Sequence, residues 1–135
     1  MNYINEINRA LKDFSLGKKE LAYKKLIKIL EKNESDHQLR FNVAVIEKSL
    51  GLSENAKRNY LFLINKNNHF KSMINLYLLY IEESDFINAL NIIDRLIENN
   101  NQVDTIIKDK AFVLYKLKKY SSSINICESF LKKKI

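Results

Sequence analysis

The 135-residue sequence contains no proline, no tryptophan, one cysteine and only two glycines. Without proline, no helix interior loses an amide donor. A single cysteine, Cys127, cannot form an intramolecular disulfide, and this favours a reducing compartment such as the cytoplasm. Two glycines are too few for a glycine-rich phosphate loop. These absences argue against disulfide scaffolds and nucleotide-binding loops and favour uninterrupted helices.

Long hydrophobic runs are also lacking. The longest apolar stretches, such as residues 76–81, are far shorter than the roughly 18 residues that cross a bilayer. The first six residues show no basic segment followed by an apolar core, so we expect no secretory signal. With 46% hydrophobic and 29% charged residues, the composition is that of a globular protein. The sequence therefore predicts a cytoplasmic protein that does not associate with membranes.

The net charge of +7 raises the question of nucleic-acid binding. Lysines such as Lys18, Lys24 and Lys28 are spread over helix faces, with Glu20 and Glu31 between or beside them. Asn, Lys and Ile also have AT-rich codons, so genome composition can account for many lysines. We interpret the charge as a solvated surface, whereas lysines clustered on one face would favour a nucleic-acid groove.

A regular repeat is the strongest feature of the sequence. Small residues recur at spacings of 34, 33 and 34, namely Ala22, Ala56, Ala89 and Ser123. Each is followed four positions later by a larger residue, namely Leu26, Tyr60, Ile93 and Cys127. A fixed period in this range indicates a stacked supersecondary unit. Small residues are needed where two helices cross closely, and the large neighbours fill the space between hairpins.

Apolar residues recur at i, i+3, i+4 and i+7 over most of the chain, without the alternation typical of strands. The pattern predicts eight helices, over about 3–16, 18–32, 36–50, 53–64, 70–82, 86–98, 103–117 and 120–133. Gly17 and Gly51 are placed to end helices, and Asp36 and Ser53 to begin them. Polar residues at 65–68 and 99–101 predict turns.

These features resemble the tetratricopeptide repeat family. The resemblance is carried in the second repeat by Phe41, Ala44, Gly51, Ala56, Tyr60 and Leu63, in the third by Leu76, Tyr80, Phe86, Ala89, Ile93 and Leu96, and in the fourth by Ala111, Leu114, Tyr120, Ser123, Cys127 and Phe130. The first repeat keeps Ala22, Leu26 and Ile29. Three features depart from the family pattern: the closing proline is missing, Glu47 replaces an aromatic residue, and Tyr77 replaces a small one.

The resemblance implies an all-α, right-handed α-solenoid of about eight antiparallel helices. It implies one domain over 1–135, with repeats at about 3–34, 36–68, 70–101 and 103–135. It further implies a non-enzymatic scaffold or adaptor whose concave groove binds a peptide or an amphipathic helix of a partner protein. Family positions that line the groove correspond to Phe41, Val45, Lys48, Ile74, Leu78, Ile81, Lys108, Phe112 and Tyr115. Lys48 and Lys108 would attract an acidic flank.

No residue pattern indicates catalysis, a metal or a cofactor. His37 and His69 lie in separate polar segments with no acidic or cysteine ligands at metal spacing, so we expect surface imidazoles. Cys127 falls at a large apolar position, which predicts a buried thiol. Ser121, Ser122 and Ser123 are interpreted as a helix start.

The sequence is also compatible with three further hypotheses about function. The pentatricopeptide family, whose members bind RNA, has a similar hairpin of about 35 residues, although its Gly-x-x-Pro-Asp ending is missing here. The chain could also serve as an accessory subunit beside an enzyme. Finally, one side of the last hairpin, near Ile124, Leu131 and Ile135, is expected to be exposed, and this predicts self-association through that hairpin.

Overall fold

The computed structural model describes residues 3–99 and 103–134, which form eight α-helices and no strand. The helices are α1 (Tyr3–Ser15), α2 (Lys19–Lys32), α3 (His37–Ser49), α4 (Ser53–Asn67), α5 (Phe70–Glu82), α6 (Phe86–Glu98), α7 (Asp104–Lys116) and α8 (Tyr120–Lys134). The predicted break at 99–101 lies mostly outside the described residues, as does Ile135. The eight predicted helices are confirmed over this part of the chain, with ends shifted by a few residues at most.

Three of the predicted helix ends are confirmed. Gly17 and Gly51 follow α1 and α3 with φ angles of +86° and +79°, a left-handed conformation that favours glycine. Asp36 caps α3, because its Oδ1 accepts a hydrogen bond of 2.9 Å from the amide of Leu39.

Two predicted boundaries around α4 are wrong. Leu52, not Ser53, is the N-cap residue, and no side chain caps this helix. The Leu52 amide already bonds the Glu47 carbonyl at 2.8 Å, so the chain enters α4 directly after Gly51. At the other end, residues 65–67 continue the helix, and only Asn68 takes the left-handed conformation, with φ +51°.

The recurring small residues are all buried, as the packing argument predicts. Leu26, Tyr60 and Ile93, the large residues that follow the first three, are buried as well. Cys127 is exposed, so the prediction of a buried thiol is wrong. The reason is that α8 is the last helix in the described part of the chain, and no later helix there covers this position.

The chain divides into two compact units, Met1–Ser72 and Met73–Ile135. In unit 1, α1 packs on α2, α2 on α3, and α3 on α4. Its first core cluster is built around Ala10, Ala22, Leu26 and Val43. In unit 2, α6 packs on α7 and α7 on α8, where the buried Ser123 hydroxyl donates to the Ala111 carbonyl at 2.8 Å. The single domain over 1–135 stays a prediction.

Unit 1 buries a carboxylate at the position where the family pattern has an aromatic residue. Glu47 is only 2% exposed. Its two oxygens accept hydrogen bonds from the Tyr23 hydroxyl at 2.8 Å and from the Asn59 amide at 2.6 Å. Arg40 donates in turn to the Asn59 side-chain oxygen at 3.0 Å. Burial and the bond to Glu47 raise the pKa of the Tyr23 hydroxyl. This network joins α2, α3 and α4.

Unit 2 buries a tyrosine at the position where the pattern has a small residue. Tyr77 is 1% exposed, and its hydroxyl donates to Asp109 Oδ2 at 2.7 Å, which links α5 to α7. Burial, followed by the bond to Asp109, raises the pKa of Tyr77 well above its ordinary value. A similar bond in unit 1 runs from the Tyr3 hydroxyl to Asp36 Oδ2 at 2.9 Å.

Candidate partner-binding surfaces

The nine predicted groove residues form three rows, each at positions i, i+4 and i+7 of one helix. They are Phe41, Val45 and Lys48 on α3, Ile74, Leu78 and Ile81 on α5, and Lys108, Phe112 and Tyr115 on α7. None of the nine is buried, and five are exposed. The first row belongs to unit 1. The other two belong to unit 2, where the Tyr77–Asp109 bond makes α5 and α7 neighbours.

The α3 row is partly occupied by contacts within unit 1. The half-buried Phe41 ring lies 6.0 Å from the Tyr60 ring and 5.3 Å from the His69 ring, measured between centroids. His69 Nδ1 accepts a bond of 3.2 Å from the Ser72 amide. Burial, with a smaller effect of the Lys71 charge, lowers the pKa of His69. His69 is therefore a half-buried side chain just before α5, which differs from the surface imidazole that we expected.

The α7 row carries the most exposed aromatic surface of the nine residues. Phe112 is 44% exposed and Tyr115 is 57% exposed. The Tyr115 ring lies 5.6 Å from Tyr120, and the Phe112 ring packs edge-on against Phe86 at 6.2 Å. We call Phe112, Tyr115 and Tyr120 the aromatic face. Leu78, 41% exposed, lies on the neighbouring helix α5.

In the sequence, Tyr120 fits only the internal pattern of the fourth repeat. In the structure this residue is half exposed and stands beside Tyr115. The sequence feature that could have revealed this contact is the short connection between α7 and α8, since only three residues separate Lys116 from Tyr120. A connection that short places the start of α8 next to the end of α7.

Lysines surround the aromatic side chains of unit 2. Lys116 Nζ lies 5.6 Å from the Phe112 ring centroid, and Lys108 Nζ lies 5.4 Å from the Phe130 ring centroid. Such cation–π contacts are worth about 0.5–1 kcal/mol at exposed sites. Lys108 thus lies against α8 while it remains exposed to solvent.

A concave surface lies between α1 and α2 of unit 1. We call it the basic cleft. Its volume is about 470 Å³, and it is lined by Tyr3, Glu6, Arg9, Lys25, Lys28, Ile29, Lys32 and Asn33. The sequence pattern predicts that the α2 lysines are solvated and spread over helix faces. The structure brings three of them together with Arg9, which belongs to the other helix of the hairpin.

Among the described residues, no group of three His, Cys, Asp or Glu side chains is arranged to hold a metal ion. Ser121, Ser122 and Ser123 lie in the first turn of α8. Across residues 3–99 and 103–134, every helix is too short or too polar to span a bilayer.

No protein-family model matches the sequence, and no curated protein matches it. Solved structures are similar in fold. A tetratricopeptide repeat protein from Parabacteroides merdae ATCC 43184 has a TM-score of 0.82 at 22% identity, over 98% of this chain and 52% of that one. MamA (41-end) from Desulfovibrio magneticus RS-1 has a TM-score of 0.79 at 12% identity, over 93% and 71%. A chain in the structure of Naa15/Naa10 bound to HypK-THB has a TM-score of 0.72 at 14% identity, over 95% and 19%.

These likenesses confirm the fold. The protein has the all-α solenoid architecture of the tetratricopeptide repeat proteins, with helices in tandem hairpins. The chain spans about half the length of the Parabacteroides protein. The resemblance noted from the spacing of small residues therefore holds at the level of the fold.

Proposed function

We propose that this protein is a non-enzymatic scaffold that binds an amphipathic helix or an extended peptide of a partner protein along the first helices of its hairpins. The observation that supports this proposal most strongly is the aromatic face, where Phe112 and Tyr115 are 44% and 57% exposed on α7. The neighbouring α5 row, with Leu78, extends it. As part of the proposal, we place the protein in the cytoplasm.

The aromatic face has the properties of a protein-binding anchor site. Aromatic side chains dominate binding energies because they bury a large area at a small entropic cost. Phe112 is held edge-on by Phe86, and Tyr115 is held by Tyr120, so these rings are ordered before a partner arrives. Lys108 and Lys116 add positive charge nearby, which would favour a partner segment whose apolar anchors are flanked by acidic residues. In unit 1, Phe41, Val45 and Lys48 are proposed to bind further residues of the partner.

The test is to select binding peptides from a random library and to map one of them by NMR on the ¹⁵N-labelled protein. We expect shifts at Leu78, Phe112 and Tyr115. The variant Phe112→Ala/Tyr115→Ala should weaken the peptide by at least about tenfold. The control is Ile87→Ala, which removes an exposed apolar side chain of α6 that belongs to none of the three rows. Equal losses in variant and control would contradict the proposal.

Binding of RNA is a second candidate, and the charge distribution supports it. Unit 1 holds 14 Lys and Arg residues against 8 Asp and Glu, and the basic cleft concentrates four of these cations. RNA binding would fall steeply with salt, because phosphate contacts release counterions. A titration of single-stranded RNA at two salt concentrations distinguishes this function from peptide binding.

Assembly with other chains is part of the scaffold proposal. The similar chain in the Naa15/Naa10 structure belongs to a complex, and this likeness favours an accessory subunit as a third candidate. Ile124 and Leu131 of α8 are 55% and 60% exposed, as expected for self-association through the last hairpin. Sedimentation of the protein and of Ile124→Asp/Leu131→Asp tests that surface. A monomer at high concentration in both would exclude it.

A further inference from the structure

The charge of this protein is concentrated in one part of the chain. Unit 1 has 14 basic and 8 acidic side chains, whereas unit 2 has 9 and 8. Within unit 1, residues 3–33 alone contain eight basic and four acidic side chains. The basic cleft lies between the two helices of this hairpin, and four of the eight basic side chains line it.

Three of the four cations that line the basic cleft form no ion pair with acidic groups of the described residues. Arg9, Lys28 and Lys32 have no ion-pair partner among the described residues, whereas Lys25 pairs with Asp13 at 2.6 Å. A cation that no acidic group of the chain neutralises can gain a partner on binding. Three such cations around one depression are the feature on which the inference rests.

The rest of the cleft provides an apolar floor and a fixed rim. Ile29 lines it and is otherwise packed in the core of unit 1. Tyr3 stands at the rim with its hydroxyl held by Asp36 at 2.9 Å, so its ring is held in place. The aliphatic stems of lysine and arginine side chains also contribute apolar surface beneath their charged ends.

We propose that the basic cleft binds an acidic α-helical segment of a partner protein, and that this is a second binding surface distinct from the rows on α3, α5 and α7. Lys25, Lys28 and Lys32 follow one another at three and four residues on α2, and of these Lys28 and Lys32 are unpaired whereas Lys25 is shared with Asp13. The rise of an α-helix places them about 4.5 and 6 Å apart along the axis. Glutamates at i, i+3 and i+7 of a partner helix have the same spacing, and an apolar residue between them would contact Ile29.

Two other occupants fit the cleft less well. A single-stranded nucleic acid would find only one aromatic ring for base stacking among the described residues that line the cleft, Tyr3, whereas Ile29 offers apolar contact to a helix side chain. On α8 of a second copy, the exposed Glu128 is outnumbered by the exposed Lys132 and Lys133, so this helix offers the cleft no net negative charge. The positive charge together with the apolar contact at Ile29 therefore favours an acidic, amphipathic protein segment.

The test uses the full chain and a fluorescein-labelled peptide of about 14 residues, roughly four helical turns, with glutamates at i, i+3 and i+7 and leucine between them. Binding is followed by fluorescence anisotropy. We expect Lys28→Gln/Lys32→Gln to weaken the peptide by about five- to tenfold, since two exposed charge pairs are lost. The matched control, Lys12→Gln/Lys132→Gln, removes the same charge from exposed helical sites outside the cleft and should change affinity by less than about twofold.

A second variant gives an expected effect of the opposite sign. Glu6→Gln removes the one carboxylate that lines the cleft, so the glutamate peptide should bind about two- to threefold more tightly. Circular dichroism verifies that each variant is folded. If the lysine variant is unfolded, the Glu6 variant decides alone.

Four outcomes would overturn the proposal. They are no binding by the unaltered protein, equal losses in the cleft variant and its control, no gain from Glu6→Gln, and tighter binding of an oligouridine RNA that the cleft variant abolishes. Phe112→Ala/Tyr115→Ala should leave this peptide unaffected. The two proposals can therefore be tested separately. Peptide binding at the aromatic face can be disproved while binding at the basic cleft is supported, and binding at the cleft can be disproved while binding at the aromatic face is supported.

Discussion

Unit 1 and unit 2 are built from the same kind of helical hairpin, yet their surfaces differ. Both bury a small residue where two helices cross, as at Ala56 and Ala89. Unit 1 is strongly basic, whereas unit 2 is nearly balanced and exposes the aromatic face. The periodic residues constrain only the inner side of each hairpin. The outer side is therefore open to variation, and two surfaces of different chemistry can arise on one scaffold.

The interiors of the two units differ as well. Unit 1 buries the Glu47 carboxylate with Tyr23 and Asn59 as donors, whereas unit 2 buries Tyr77 with Asp109 as acceptor. Both residues depart from the repeat pattern, and both have hydrogen-bond partners. Because an unpartnered buried polar group costs about 1–3 kcal/mol, such a departure is tolerated when its partners are supplied by neighbouring helices.

The largest expected effect concerns the large residue that follows each small one. Ile93→Ala should lower the free energy of unfolding by about 2–5 kcal/mol, because Ile93 is fully buried and the change leaves a cavity. Cys127→Ala, at the same place in the last repeat, should change it by less than about 0.5 kcal/mol, because Cys127 is exposed. Urea unfolding monitored by circular dichroism measures both. If both variants lose similar free energy of unfolding, the Cys127 side chain is buried in solution.

The polar network of unit 1 comes next. Glu47→Ala should cost about 2–3 kcal/mol, because it leaves the Tyr23 hydroxyl and the Asn59 amide without their acceptor. Glu47→Gln, which keeps an oxygen acceptor, should cost less. Chemical denaturation measures both variants. An Ala variant as stable as the Gln variant would show that the network adds little to unit 1.

For unit 2, Tyr77→Phe should cost about 1.5–3 kcal/mol at neutral pH, the range for a hydrogen bond to a charged group. The folded-state pKa of Tyr77 is raised above the ordinary value near 10, so its stabilising effect is fully present below that pH. It is lost as the pH rises further, because the unfolded chain ionises first. Unfolding measured between pH 8 and about 11 should therefore show a shallower alkaline decline in the Phe variant. If stability declines equally steeply at alkaline pH in the Phe variant and in the unaltered protein, ionisation of other groups, such as Tyr23, causes that decline.

The smallest expected effect concerns the exposed side of α8. Ile124→Gln and Leu131→Gln should each change the free energy of unfolding of dilute protein by less than about 0.5 kcal/mol, because both side chains are more than half exposed. Thermal or urea unfolding at low protein concentration provides the measurement. A large loss would show that these residues are packed within unit 2 in solution.

Much of the fold could be predicted because local residues encode it. The bounds of α5 and α6, the left-handed glycines and the Asp36 cap follow from signals within a few positions of the chain. The predictions failed where a neighbouring helix decides the outcome. Cys127 occupies a repeat position that is buried in the earlier repeats, but among the described residues no helix covers it. Ser53 is the first residue of α4, and the N-cap position is taken by Leu52.

The candidate sites were less predictable than the fold. Phe112 and Tyr115 follow from helical spacing, but Tyr120 joins them only because a three-residue turn brings α8 beside α7. Arg9 and Lys28 are distant in sequence, and no spacing rule within one helix places them around the same cleft. The nine groove residues as one binding surface remain a prediction.

By itself, the sequence determined that the chain forms helices and that these pair at a period of 33 or 34 residues, since small side chains, glycines and caps act over short distances. Only the tertiary structure decided which polar residues are buried together, which aromatic rings stay exposed and where the positive charge gathers. Those outcomes depend on contacts between helices, and the position of a side chain along one helix does not reveal what another helix places against it.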